Sequence, residues 1–275
     1  MKYTTFKKGK QKKFMQMVKK KSEMTWDRLA KKAGISRSMI FFYRNEHSKI
    51  PEKQYHIFKE TSGETLIDCE FVDLKTQMQD IQHPKRVNKD LSELIGILAG
   101  DGHISAKNHE VSVSGHLHKD YQYMTETVIP LFQNLFSCRI HIKTHEKNNN
   151  IRCIINSIRL AQYLVNNFQL PQGRKKGKLH IPKSLRKNKD FLIAYIRGLF
   201  DTDGSVYFRR NQPVVSIISR DPVFLNEIKS ALKMLKYSPS LSGKNIYLYR
   251  KEDVKRFFNH IQPHNKKHLQ QYKPL

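Results

Sequence analysis

The sequence predicts an α+β chain: a small all-α block followed by two tandem αββαββα units. Three observations predict it. A nine-residue pattern recurs after 102 residues, the same order of helical and alternating segments follows each copy, and the positive charge falls into two blocks. Over 275 residues the chain carries 51 Lys and Arg against 24 Asp and Glu, a net charge of +27 with histidine neutral. Such a surface repels itself unless a polyanion neutralises it, which points to nucleic acid or an anionic membrane face rather than a small acidic ligand. No run of about 18 apolar residues exists, so no spanning helix is expected. Residues 1–8 lack an apolar signal region, so the expected setting is intracellular. Cys69, Cys138 and Cys153 form no C-x-x-C pair, which argues against structural zinc and fits a reducing compartment. The pairs His116/His118, on a strand face, and His264/His268, on a helix face, have metal-compatible spacing and read as polar surface.

Residues 1–60 hold 17 basic and 5 acidic residues, residues 61–90 hold 4 and 6, and residues 91–275 hold 30 and 13. Residues 1–13, rich in Lys, read as a mobile basic arm. In the block 14–60, Phe14, Met17 and Val18 fit a first helix. Thr25 caps a second over 26–33 with Trp26, Leu29 and Ala30 inward, and Gly34 ends it. Ser36 caps a third, reaching about Asn45, with Met39, Ile40 and Tyr43 on the packing side, and Pro51 opens a fourth. Two short helices joined at Ala33-Gly34-Ile35 make a helix-turn-helix that offers Arg37, Ser38, Phe41 and Arg44 outward. The run Leu29-Ala30-Lys31-Lys32-Ala33-Gly34-Ile35-Ser36-Arg37-Ser38 resembles phage-repressor-like DNA-binding domains, which implies DNA contacts from Arg37, Ser38 and Arg44. Across 61–90, Ile67, Phe71, Leu74, Met78 and Ile81 recur at helical spacing, predicting a short docking helix and then a linker through His83-Pro84.

The repeat carries the chemistry. Leu94-Ile95-Gly96-Ile97-Leu98-Ala99-Gly100-Asp101-Gly102 returns as Ile196-Arg197-Gly198-Leu199-Phe200-Asp201-Thr202-Asp203-Gly204. Each copy reads as an apolar helix with small residues four apart, Gly96 with Gly100 and Gly198 with Thr202, a spacing that lets two backbones approach. Each ends in Asp-Gly, where Gly stops the helix. An acid there opposes the helix dipole at a cost of a few tenths to ~1 kcal/mol, and two such ends together add like-charge repulsion. A divalent cation between Asp101 and Asp203 accounts for that arrangement, and carboxylates with the open helix-end carbonyls suit Mg²⁺. Strands follow at 103–106 and 110–116, a helix at 121–136, two more strands, and a helix at 158–168. The second copy gives strands at 206–210 and 214–220, a helix at 223–236, a strand at 245–250 and a helix at 253–260. The repeats are thus 91–182 and 183–275. Period two sets Arg139, His141, Lys143 and His145 on one strand face, suited to the major groove. Tyr207 and Arg209 take a similar part in the second repeat.

These residues resemble the LAGLIDADG homing endonucleases in their two-motif single-chain form, over about residues 91–275. The second nonapeptide is the closer match, and the first has Ala99 where the family often has an earlier Asp. The resemblance implies motif helices packed at a pseudo-twofold axis and two sheets forming a saddle over double-stranded DNA. It implies Asp101 and Asp203 as metal ligands, joined by the backbone carbonyls of Gly100 and Thr202, with Mg²⁺ or Mn²⁺ as cofactor. It implies a catalytic lysine at each site: Lys178, 25 residues before Asp203, and in the second repeat one of the adjacent pair Lys266-Lys267, with Lys267 the candidate. Lys175 and Lys176 read as phosphate contacts, and His116 and Arg220 as strand-end residues near the scissile bonds. The implied activity is in-line hydrolysis of both strands at a long asymmetric site, as in intron homing, by a monomer without protein partner or membrane. Two alternatives share the scaffold, a non-catalytic DNA-binding regulator and an intron RNA maturase. Such regulators usually lose the acidic pair, which this chain keeps. Beginning at Met1 and ending Tyr272-Lys273-Pro274-Leu275 without a terminal Asn, the chain is not expected to be an intein.

Overall fold

Local capping and apolar spacing give a helical first unit, residues 1–77, and a repeated α+β second unit, residues 78–275, in a computed structural model that describes residues 2–63, 69–73, 81–107 and 109–272. The first unit runs β1 (Lys2–Thr5), α1 (Lys10–Ser22), α2 (Trp26–Lys32), α3 (Arg37–Arg44), α4 (Glu52–Ser62) and β2 (Glu70–Asp73). The Thr25 and Ser36 side chains accept the amides of Arg28 and Met39 and so start α2 and α3. Gly34 between them turns the chain with φ 65°, a region that glycine enters freely. Phe14, Val18, Leu29, Ile40, Tyr43 and Phe58 are among the residues that close the core.

Three expectations are corrected here. Residues 1–13 are no mobile arm, because β1 pairs antiparallel with β2 and α1 already begins at Lys10. The Thr4 amide and hydroxyl both donate to the Ile50 carbonyl (2.8 and 3.1 Å), and the Gly9 and Lys12 amides donate to the Glu46 carboxylate (2.9 and 2.8 Å). Satisfying these backbone groups outweighs repulsion between solvated lysines. The helix expected through Phe71 is instead a strand at 70–73, with Phe71 opposite Thr4. A distant partner and the strand preference of Phe-Val decide there. Ile67, Leu74 and Met78 lie outside the described residues. On α3, Met39 is exposed and Phe41 is partly buried, so Phe42 takes the outward place expected of Phe41.

The second unit begins with α5 (Lys89–Gly100), β3 (Gly102–Ile104) and β4 (Val111–His116). A helix follows in three segments, α6 (Tyr121–Tyr123), a π turn over Met124–Val128 and α7 (Ile129–Phe136). Next come β5 (His141–His145), β6 (Asn150–Ile155), α8 (Ile158–Phe168) and the short α9 (Lys183–Arg186). The second copy is α10 (Lys189–Asp203), β7 (Gly204–Arg209), β8 (Gln212–Ile218), α11 (Pro222–Met234), β9 (Ser240–Ser242), β10 (Asn245–Leu248) and α12 (Lys251–His260), followed by α13 (Lys266–Gln271). The two four-stranded antiparallel sheets share one order, β3-β4-β6-β5 and β7-β8-β10-β9. No helix among the described residues is long and apolar enough to cross a membrane.

The two repeats meet along α5 and α10. A Cβ on Gly96 would lie 2.1 Å from the Tyr195 carbonyl oxygen, and one on Gly198 would lie 2.1 Å from the Glu93 carbonyl oxygen. These reciprocal contacts are backbone against backbone, and neither leaves room for a methyl group. Leu94, Ile95, Ile97, Leu98, Ile196 and Leu199 fill the flanks, all essentially inaccessible. Gly198→Ala is therefore expected to cost roughly 1–3 kcal/mol or more by forcing the helices apart. Gly177→Ala, where φ is 76° and nothing lies within 4 Å of an added Cβ, is expected to cost only about 1–2 kcal/mol of backbone strain. Denaturant melts of both variants check the order.

Candidate active site

Asp101 directly follows α5 and Asp203 is the last residue of α10. The glycine contact therefore delivers two helix C-termini to one place. A Cβ on Gly100 would lie 3.4 Å from Asp203 Oδ2, so the second acid stands against the end of the first helix. Among the described residues neither carboxylate accepts a hydrogen bond. The surrounding acids all do. Asp201 accepts the amides of His264 (2.9 Å) and Asn265 (3.1 Å). Asp120 accepts the His116 amide (2.8 Å), Asn265 Nδ2 (3.0 Å) and Lys267 Nζ (2.9 Å). Glu93 accepts from Arg197 (3.0 Å) and pairs with His264 Nδ1 (2.7 Å). Burial raises the Asp101 carboxyl above its usual range, Lys267 opposes, Asp120 adds to the rise and Lys175 opposes. Burial pushes Asp203 up to about 7, and the nearby Asp101 adds to it against Lys175 and Lys267.

Two lysines address this pair. Lys175 Nζ donates to the carbonyls of Leu98 (2.8 Å), Ala99 (3.1 Å) and Gly100 (2.6 Å), placing a cation on the negative end of α5. Burial brings its ammonium down to about 8, against the pull of Asp203 and Asp101. Lys178, the lysine expected here from the sequence, is exposed. The Lys178 amide donates to the Lys175 carbonyl (3.0 Å), closing a turn through Gly177. Three lysines in one basic loop look alike in sequence, and this turn selects the first. The Gly100 carbonyl, expected to be open, accepts Lys175 Nζ. At Thr202 the hydroxyl donates to the carbonyls of Gly198 (3.0 Å) and Leu199 (2.9 Å). Lys267 lies beside the acids through its bond to Asp120. Asp120, Asn265 and Glu93 went unread in the sequence, as did the grouping of Asp201 and His264 with Glu93. Of the three unread residues only Asp120 carried a signal, standing before its helix as Asp221 stands before α11. His264 precedes α13 while His268 is buried within it, with its ring pushed down to about 4 by burial, so the two share no helix face.

The outer faces of the sheets are unlike. Every residue of β5 is exposed, with His141, Lys143 and His145 opposite Ile154, Arg152 and Asn150. His103 and His116 lie on the same face, and exposed Arg139 precedes the strand. On the second sheet Tyr207 lies opposite Val214 and Arg209 opposite Gln212, the Ser205 and Ser216 hydroxyls bond at 2.8 Å, and the Tyr247 and Tyr249 rings stack at 5.2 Å. Arg220 is exposed just beyond β8, as is Lys176 in the basic loop. In the first unit Arg37 and Ser38 are exposed, Arg37 pairs with Asp27 (3.2 Å), and the Arg44 guanidinium lies 4.7 Å from the Phe41 ring centre.

Two hard oxygen donors, each pushed toward protonation by burial and without hydrogen bonds, fit a divalent cation. An acid whose folded pKa lies above its free value weakens folding as pH rises from about 4 to about 7. Without metal, Asp203→Asn is thus expected to be more stable than the wild type at about pH 8, by on the order of 2 kcal/mol, and the gap closes toward about pH 4. Burial pushes Asp201 up to about 7 as well, so Asp201→Asn, whose amide would face a backbone N–H, is expected to be less stable by about 1–3 kcal/mol at about pH 4, with the deficit narrowing toward about pH 8 as the wild-type carboxyl ionises. Thermal melts in a chelator across this range check both.

Residues 190–262 match the family model described as a LAGLIDADG-like domain. The chain is 28% identical over 184 residues to a DNA polymerase of Thermococcus hydrothermalis, covering 64% of this chain and 11% of that protein. It is 28% identical over 156 residues to the glutamine–fructose-6-phosphate aminotransferase of Methanocaldococcus jannaschii (55% and 13%), and 26% identical over 134 residues to that organism's replication factor C small subunit (49% and 7%). The chain thus spans about a tenth of the length of the curated relatives it matches. Among solved structures, the N-terminal LAGLIDADG domain of DUF199/WhiA aligns at 16% identity with a TM-score of 0.47, covering 67% of this chain and 88% of that one. Mesophilic variants from the homing endonuclease I-DmoI align at 16% identity and 0.47, covering 64% and 91%.

Proposed function

We infer that this chain, whose residues 190–262 match a LAGLIDADG-like domain, is a site-specific endonuclease that hydrolyses both strands of duplex DNA, with Asp101 and Asp203 holding Mg²⁺ or Mn²⁺. The observation that carries this reading is the pair of carboxylates at two helix C-termini that, among the described residues, accept no hydrogen bond while Asp120, Asp201 and Glu93 around them do. When bound, the ion polarises a phosphoryl oxygen and stabilises the leaving oxygen. Lys175 and Lys267 offset charge that builds on the phosphate. Lys175, brought down to about 8, also lies near enough to neutral pH to exchange a proton. The exposed basic face of the first sheet and the Tyr-, Ser- and Arg209-bearing face of the second contact the duplex, with His116, Lys176 and Arg220 at their margins. In the first unit the helix-turn-helix adds phosphate and base contacts through Arg37, Ser38 and Arg44. The names of the three curated relatives have no activity in common, so none is carried to this chain.

Incubation with a library of duplex sites in Mg²⁺ tests the reading. The wild type is expected to cut both strands at one long site, and Asp101→Asn and Asp203→Asn are each expected to lose roughly a hundredfold or more in rate while still binding that site. Specific binding without cleavage by the wild type would replace the enzyme with a DNA-binding regulator. Replacing Arg37 by Ala is expected to weaken duplex binding and lower the slope of affinity against salt by about 1, without moving the cut. Titrations at several salt concentrations measure it.

A further inference from the structure

The two lysines are held in different ways, and the difference breaks the relation between the repeats. Lys175 rests on backbone carbonyls of α5. Lys267 is held by side chains: its Nζ bonds Asp120 Oδ1 (2.9 Å) and its amide bonds Asn265 Oδ1 (3.2 Å). Asn265 is 1% exposed, and all its side-chain polar atoms are engaged. Its Nδ2 donates to Asp120 Oδ1 (3.0 Å) and to the Asp201 carbonyl (3.1 Å), and its amide donates to Asp201 Oδ1 (3.1 Å). One residue thereby ties Lys267 to the second motif helix and to the first repeat.

Asp120 supplies the independent sign. It stands at the N-cap position of α6, yet its side chain caps nothing there. Its oxygens go to the His116 amide, Asn265 and Lys267. Asp221, at the same position before α11, accepts the Val223 and Phe224 amides as a cap, and its other oxygen is buried without a partner among the described residues. Capping would be the ordinary use of such an Asp. Asp120 has been turned from that use to the lysine. The pair is also largely removed from water, where an ion pair does little for stability.

We propose that Asp120 and Asn265 are positioning residues that hold the Lys267 ammonium against the acid pair, so that cleavage of one DNA strand depends on them and cleavage of the other depends on Lys175. The kinetic half of this rests on the endonuclease reading, while the clamp itself does not. The clamp is tested by acylating surface amines briefly and quantifying each lysine by peptide mass spectrometry. Lys267 is expected to react several-fold faster in Asp120→Asn and Asn265→Ala than in the wild type, with Lys175 unchanged. Asp120→Asn keeps an acceptor for the His116 amide, so it serves if Asn265→Ala fails to fold. The strand assignment is tested on a supercoiled plasmid carrying the cleaved site, and on a linear duplex of that site with each strand end-labelled in turn. In Asp120→Asn one strand's rate is expected to fall roughly 10- to 100-fold and nicked circles to accumulate, with site affinity unchanged. Equal slowing of both strands would overturn the strand assignment, as would no slowing at all, and unchanged Lys267 reactivity would overturn the clamp. If the wild type cuts no duplex, the endonuclease reading fails by itself and the acylation ratio still decides the clamp.

Discussion

Two helices whose backbones touch through Gly96 and Gly198 set the geometry on which everything else in the second unit depends. Because each glycine lies against a carbonyl of the other helix, α5 and α10 cannot slide or rotate independently, and their C-termini end side by side. Those ends carry the negative poles of two helix dipoles and two acids. Folding gains nothing from that concentration of negative charge, and burial makes it worse. Lys175 on the α5 carbonyls and Lys267 on Asp120 relieve part of it. The remainder is the feature that a divalent cation and a phosphodiester would use.

The second consequence is asymmetry within a symmetric plan. The repeats share helix order and sheet order, but not what they present. The first sheet offers His141, Lys143 and His145 on a fully exposed strand, and the second offers Tyr207, Ser205 and a stacked Tyr247–Tyr249 pair. A basic face and a hydroxyl-bearing aromatic face would suit different base edges, which on the proposed endonuclease reading matches a non-palindromic duplex. The same inequality reaches the centre. Asp201 anchors the segment before α13 through two amides, whereas Ala99, at its place in the first repeat, cannot do so.

What the sequence made legible was local. The Thr25 and Ser36 caps, the motif helices and the strands around Val111 and Val214 each declare themselves within a few residues. The acids Asp101 and Asp203 were readable because the same residue closes two copies of one pattern. Features that depend on distant partners were not legible. β1 meets β2 almost seventy residues away, and Ser240–Ser242 has no pattern of its own and forms a strand only against β10. That Lys175 rather than Lys178 reaches the α5 carbonyls depends on a turn, not on spacing. The bond from Asn265 to Asp120 spans 145 residues, and no periodicity announces it.

The central claim is that Asp101 and Asp203 together form one cation site. Calorimetric titration of Mn²⁺ near neutral pH, in two buffers of different ionisation enthalpy, addresses it most directly. With Asp203 held up to about 7, binding is expected to release protons, and Asp101→Asn or Asp203→Asn is expected to abolish both binding and release. Binding that survives either substitution, or that proceeds without proton exchange, would contradict the account.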